Sequence, residues 1–219
     1  MVPIFWWRAM FTGLIESVGT VDEMCELPSG SRVRISTELA AELQLGDSIA
    51  VNGVCLTVAA VDASGFEADL SPETVRITAL AATKGGSKVN LERPLIATAG
   101  RFGGHFVQGH VDVVGELSAI REETDFWWLS VSYPHEWGRY LVHKGSVVLD
   151  GISLTIAQLS SDRFEVQIIP FTWDKTNLHT RSIGDRLNIE CDIIGKYVAR
   201  ALDVMNEDLF GRDRPEGKE

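Results

Sequence analysis

The chain has 219 residues, 45% hydrophobic and 23% charged, an ordinary globular composition that lets one domain or two small ones bury real cores without disulfides or a metal. Its formal charge of −11 argues against a nucleic-acid partner, which needs a basic face, and equally against an anionic membrane surface. Three isolated cysteines, Cys25, Cys55 and Cys191, form no CxxC pair or disulfide framework, so a reducing cytoplasm is the expected compartment.

The opening MVPIFWWRAMFTG is apolar but short and broken by Arg8, and it lacks the features of a secretory signal. Residues 1–9 read as an extension, with Met10 a second candidate start. Strand signals follow at 32–37, 48–61, 65–70 and 88–92, short β-branched runs punctuated by Gly, Asn and Pro. TELAAEL (37–43) reads as a short helical turn with Thr37 as N-cap. A small-residue link, LIATAGRFGG (95–104), separates this half from the next. Strand signals resume at 126–132, 146–159, 163–169 and 186–190. PHEWGRYLV (134–142) reads as a second helical turn, with Pro134 suited to its first position. Residues 192–210 place Ile193, Ile194, Tyr197, Val198, Ala201, Leu202, Met205 and Leu209 on one helical face. That helix has no counterpart in the first half, and its apolar face suits an oligomer contact. Residues 211–219 are a polar tail.

The two halves repeat each other. NGVCLTV (52–58) answers DGISLTI (150–156) 98 positions later, and the same shift lays Phe66 on Phe164, Pro72 on Pro170, Thr74 on Thr172, Asn90 on Asn188 and Glu92 on Glu190. FTGLIESVGTV (11–21) answers VQGHVDVVGEL (107–117) at a shift of 96. The expected organisation is an all-β chain: an extension (1–9), one barrel (10–98), a second (99–191), an oligomerisation helix (192–210) and a tail (211–219). Periodicity alone leaves barrel and sandwich open.

Both copies keep a Thr two residues after a small nucleophilic group: Cys55 and Thr57 share one strand face, Ser153 and Thr155 another. Both also keep Pro-x-Thr, read as the end of a later strand. Small hydroxyl and thiol groups beside Gly make a neutral, hydrogen-bonding wall, suited to an uncharged heterocycle. Two like pockets suggest two like ligands. The second half alone carries His105, His110 and Lys144, groups fit for proton transfer and for stabilising an anion. No spacing supports a metal site, a dinucleotide fold or a nucleophile elbow.

With MFTGLIE, NGVCLTV, GGHFVQGHVD, KGSVVLDGISLTI and NIECDIIGKY in order, residues 10 to 205 closely resemble riboflavin synthases of the alpha-subunit type. The resemblance implies two six-stranded Greek-key β-barrels and a C-terminal helix that builds a homotrimer. It implies the dismutation of two 6,7-dimethyl-8-ribityllumazine molecules by four-carbon transfer, with no metal or redox cofactor. One lumazine would lie in a first barrel and the other in a neighbouring subunit's second barrel. His110 would assist proton transfer; Cys55, Ser153 and Thr155 would line the reacting centre; Lys144 would favour negative charge; Asp150 and Asp192 would orient partners. First-pocket contacts would come from Gly13, Leu14, Ile15, Ser48, Cys55, Leu56, Thr57 and the run Asp69, Leu70, Ser71, Pro72, Glu73 and Thr74. Second-pocket contacts would come from Gly109, His110, Val111, Lys144, Ser153, Leu154, Thr155 and the run Ile168, Ile169, Pro170, Phe171, Thr172 and Trp173. Val113 and Phe171 depart from the usual Gly and His of the pattern. An antenna protein of the same fold, which binds lumazine or flavin without chemistry, is the alternative; the second-half groups favour catalysis.

Overall fold

A computed structural model of the protein describes residues 10–96 and 102–210. The extension before Met10, half of the small-residue link (97–101) and the polar tail lie outside these residues.

Each half closes into a six-stranded antiparallel barrel. The first runs β1 (Ser17–Leu27), β2 (Gly30–Ser36), β3 (Ser48–Val51), β4 (Val54–Val61), β5 (Gly65–Leu70) and β6 (Lys88–Glu92). The second runs β7 (Val113–Glu123), β8 (Phe126–Ser132), β9 (Ser146–Leu149), β10 (Ile152–Leu159), β11 (Arg163–Ile168) and β12 (Arg186–Cys191). Strand order is β1-β2-β5-β4-β3-β6 in one and the repeat-equivalent β10-β11-β8-β7-β12-β9 in the other. The last strand returns beside the first of a three-strand meander, a Greek key.

Most strands alternate. β5 turns Phe66, Ala68 and Leu70 into the core, while Glu67 and Asp69 face out opposite Arg34 and Arg32 of β2. β3, β6, β9 and β12 lose the alternation: Val89, Asn90, Leu91 and Glu92 are all buried, as are Leu187 to Cys191. Their outer faces are covered by the other barrel. The β3–β4 and β9–β10 hairpins turn at Asn52-Gly53 and Asp150-Gly151, all four at positive φ, as a type I′ turn requires. Their tips press together so closely that a Cβ on Gly53 would lie 2.7 Å from the Gly151 amide nitrogen. Buried asparagines finish the seam. Asn188 Nδ2 donates to the Asn52 carbonyl and Asn90 Nδ2 to the Asp150 carbonyl, each at 2.9 Å.

Several elements differ from the sequence expectation. β1 and β7 are the longest strands, yet their outer halves are acidic and exposed and show little β pattern. Pro72 and Pro170 do not end strands; each is the first residue of a short helix, α1 (Pro72–Ile77) or α2 (Pro170–Lys175), where a missing N–H costs nothing. Thr37 caps a 3-10 turn over Glu38–Glu42, as expected, whereas Pro134 lies just before the 3-10 turn His135–Tyr140 rather than inside it. The last helix, α3 (Ile193–Phe210), leaves Ile194, Tyr197, Val198, Leu202 and Met205 exposed. No helix among the described residues is long and apolar enough to cross a membrane.

Candidate active site

Each barrel has an open seam in its ladder. β4 pairs with β5 only from Val58↔Ala68 onward; continuing the register would set Thr57 against Asp69 and Leu56 against Leu70, and neither pair forms. Ser48 and Ile49 of β3 hold Thr57 and Leu56 from the other side. β10 and β11 part in the same way before Ile156↔Val166, leaving Leu154 and Thr155 with β9 alone. Beyond each seam the chain bends into α1 or α2. Asp69 and Leu70 therefore flank one seam and Gln167 and Ile168 the other, with Ser71 to Thr74 and Ile169 to Trp173 following into α1 and α2. Free backbone donors and acceptors along such an edge can bind the polar rim of a flat heterocycle.

Two crossing segments close these seams, and they do so crosswise. Phe11 and Val107 exchange backbone hydrogen bonds of 2.8 and 3.1 Å, tying the start of one half to the start of the other. Past that point each segment runs against the opposite barrel. Gly13 O accepts from Ser153 N at 2.8 Å, and Ile15 packs on the second core. Gly109 O accepts from Cys55 N at 2.9 Å, and Val111 is buried in the first core. The resemblance grouped Gly13 and Ile15 with the first pocket and Gly109 and Val111 with the second; in the fold their protein contacts are with the opposite barrel. Leu14 instead lines a cleft of about 560 Å³ with Ser48, Leu43 and Leu95. A repeat-equivalent cleft of about 470 Å³ is lined by Ser146, Asp192, Ile194 and Val198.

Ser153 Oγ is hydrogen-bonded to His105 Nδ1 at 2.7 Å. His105 is 8% exposed, and burial pushes its pKa down against the opposing charge of Asp192, which favours a neutral imidazole. Its Nε2 has no partner among the described residues. His105 stood out in sequence only as one of two imidazoles absent from the first half; only folding could show that it, and not His110, meets Ser153. His110 is exposed, and its N–H donates to Glu190. The Cys55 thiol is half-buried and pushed up by that burial, with a hydrogen bond from Ser48 opposing, so it is a neutral thiol at pH 7.

The remaining candidates are spread differently. Thr57, Thr155 and Lys144 are exposed, Lys144 at a positive φ in the turn before β9. Asp150 is fully buried: its carboxylate accepts from Asn188 N at 2.8 Å and pairs with Arg181. Burial pushes that carboxyl up and Arg181 draws it back. Asp150 is thus built into the contact between barrels. Asp192 accepts from Ile194 N at 3.0 Å at the start of α3. Asp69 is paired with Arg32 at 2.6 Å. Around the second seam Ile168 and Leu154 are covered, Ile169 and Phe171 protrude, and Trp173 stacks on Trp127 at 4.6 Å. Around the first, Leu56 and Leu70 are buried, while Ser71, Pro72 and Glu73 are exposed and Ser71 caps α1 through Thr74 N at 3.1 Å.

The lumazine binding domain family matches the chain twice, over residues 12–94 and 108–192, the two barrels just described. The riboflavin synthase of Bacillus subtilis is 44% identical over 199 residues, covering 90% of this chain and 92% of that protein. The chain belongs to the riboflavin synthase family. The riboflavin synthase of Actinobacillus pleuropneumoniae is 43% identical over 194 residues, 88% of this chain and 90% of its own. Among solved structures, LumP complexed with 6,7-dimethyl-8-(1'-D-ribityl) lumazine superposes with a TM-score of 0.75 at 22% identity. It covers 82% of this chain and 98% of that one, a likeness of fold alone.

Proposed function

We propose that this protein is a transferase of riboflavin formation, dismutating two molecules of 6,7-dimethyl-8-ribityllumazine. A four-carbon unit passes from one to the other, giving riboflavin and 5-amino-6-ribitylamino-2,4(1H,3H)-pyrimidinedione. The observation that carries this reading is the pair of repeat-related seams, one beside Cys55 and one beside Ser153, in a chain 44% identical to a riboflavin synthase. Bringing two like rings together replaces a chance encounter by a local one, worth up to about 7–11 kcal/mol in favourable cases.

The donor's C7 methyl must lose a proton and the acceptor's C7 must take a nucleophile. Ser153, whose hydroxyl is held by a neutral His105, can pass a proton to that imidazole. Cys55, Thr57 and Thr155 supply neutral contacts, His110 a second exposed imidazole, and Lys144 positive charge toward an anionic intermediate. The exposed apolar stripe of α3 supports assembly of the chain into a homotrimer, in which a first-barrel seam meets a neighbour's second-barrel seam, and the three isolated cysteines suit the cytoplasm as its compartment.

Purified protein incubated with the lumazine should develop riboflavin absorbance, one riboflavin for each two lumazines consumed. Tight binding without product would replace the enzyme by the antenna reading.

A further inference from the structure

Each barrel's last strand carries a buried glutamate, Glu92 in β6 and Glu190 in β12, which the chemistry above does not use. We propose that these two carboxylates are positioning residues, each holding the crossing segment that completes the opposite barrel's site. The inference rests on the reading of Cys55 and Ser153 as lining the reacting centre.

Glu92 accepts from Thr12 N at 2.6 Å, from Thr12 Oγ1 at 2.8 Å and from Gly13 N at 2.9 Å. Glu190 accepts from Gln108 N at 2.8 Å and from Gly109 N and His110 N, both at 3.0 Å. Three donors converge on each group, and these bonds favour its ionised form against the burial that raises both carboxyls. The glycine so gripped then accepts, through its own carbonyl, from a backbone amide of the opposite barrel: Gly13 from Ser153 N, Gly109 from Cys55 N. Two short chains of contact result, Glu92–Gly13–Ser153 and Glu190–Gly109–Cys55. Neither has slack, because a Cβ at Gly13 would lie 2.5 Å from the Ser153 Cβ and one at Gly109 2.6 Å from the Cys55 Cβ. Both glycines sit at positive φ, which only that residue adopts freely. The third donor differs: on Glu190 it is the backbone amide of His110, so this clamp also holds the backbone that carries that imidazole. A glutamate of one barrel therefore shapes the wall of the other.

The test reads thiol access at both positions. In a Cys25→Ser, Ser153→Cys background, iodoacetamide labelling is followed by peptide mapping with Glu92→Gln or Glu190→Gln added. A glutamine sets an NH2 against a backbone N–H, so the gripped segment should loosen. Glu190→Gln should speed labelling at position 55 about tenfold and leave 153 unchanged, and Glu92→Gln the reverse. In the otherwise unaltered protein each Gln variant should lower kcat for riboflavin formation about tenfold or more with the far-UV spectrum kept. Glu→Asp variants, which keep the charge on a shorter arm, carry the same crosswise prediction if the Gln variants do not fold. Equal acceleration at both positions, acceleration within the same barrel, or wild-type labelling and kcat in a folded variant overturns the proposal. Crosswise labelling in a protein that makes no riboflavin would support the clamps and overturn the enzyme reading instead.

Discussion

A thiol and a hydroxyl occupy equivalent places in the two seams, and their surroundings set them apart. Cys55 is a neutral thiol beside Ser48; Ser153 is bonded to an imidazole that burial keeps neutral. Ser153→Ala and His110→Ala should lower kcat about tenfold or more while shifting lumazine affinity far less, as steady-state kinetics with equilibrium titration will show. His105→Gln should follow Ser153→Ala in rate. It should also change the response to acid. The folded His105 pKa lies below its unfolded value, so on acidification the unfolded chain takes the proton first and stability is lost as pH falls through about 6.5. Melting temperature should therefore drop more between pH 7.5 and 5.5 in the native protein than in His105→Gln. Glu190 works in the opposite sense. Burial raises it to about 7, so its ionised form costs stability that is regained as pH falls from there toward the ordinary carboxylate range. The comparison with His105→Gln holds that contribution constant.

Among elements, the hairpins that join the barrels leave little room for change. Gly53 combines positive φ with backbone of the other barrel 2.7 Å from where a Cβ would sit. Gly46 shares the positive φ but faces open space. Urea unfolding should thus show Gly46→Ala losing about 1 kcal/mol and Gly53→Ala clearly more, about 2–4 kcal/mol. Element legibility in the sequence followed local physics. β5 and β11 alternate against solvent and were readable, and Thr37 supplied a capping signal that held. β1 and β7 were illegible because their outer halves are acidic ribbon with little apolar pattern. α1 and α2 were hidden because one helical turn after a strand shows no period; proline at the first position is the signal they share, with Ser71 as a cap for α1 alone.

For the whole molecule, the exposed stripe of α3 fits a contact with further copies of the chain. Leu202→Glu should reduce the sedimenting mass from that of the proposed trimer of 24.1 kDa chains toward a single chain and lower turnover with it. The repeat, the turn glycines and the pairing of Cys55-Leu56-Thr57 with Ser153-Leu154-Thr155 were all present in the order of residues. They determined two like halves with like strands and like seams, because duplication copies every local preference along with the chain. Which segment completes which site was decided only by tertiary structure. Phe11 meets Val107, Gly13 meets Ser153 and Gly109 meets Cys55 across contacts between barrels, and close backbone approach at long range leaves no local pattern beyond a glycine. The same holds for Asp150, whose place in a conspicuous motif gave no hint that Arg181 and the apposed hairpin would take it out of solvent.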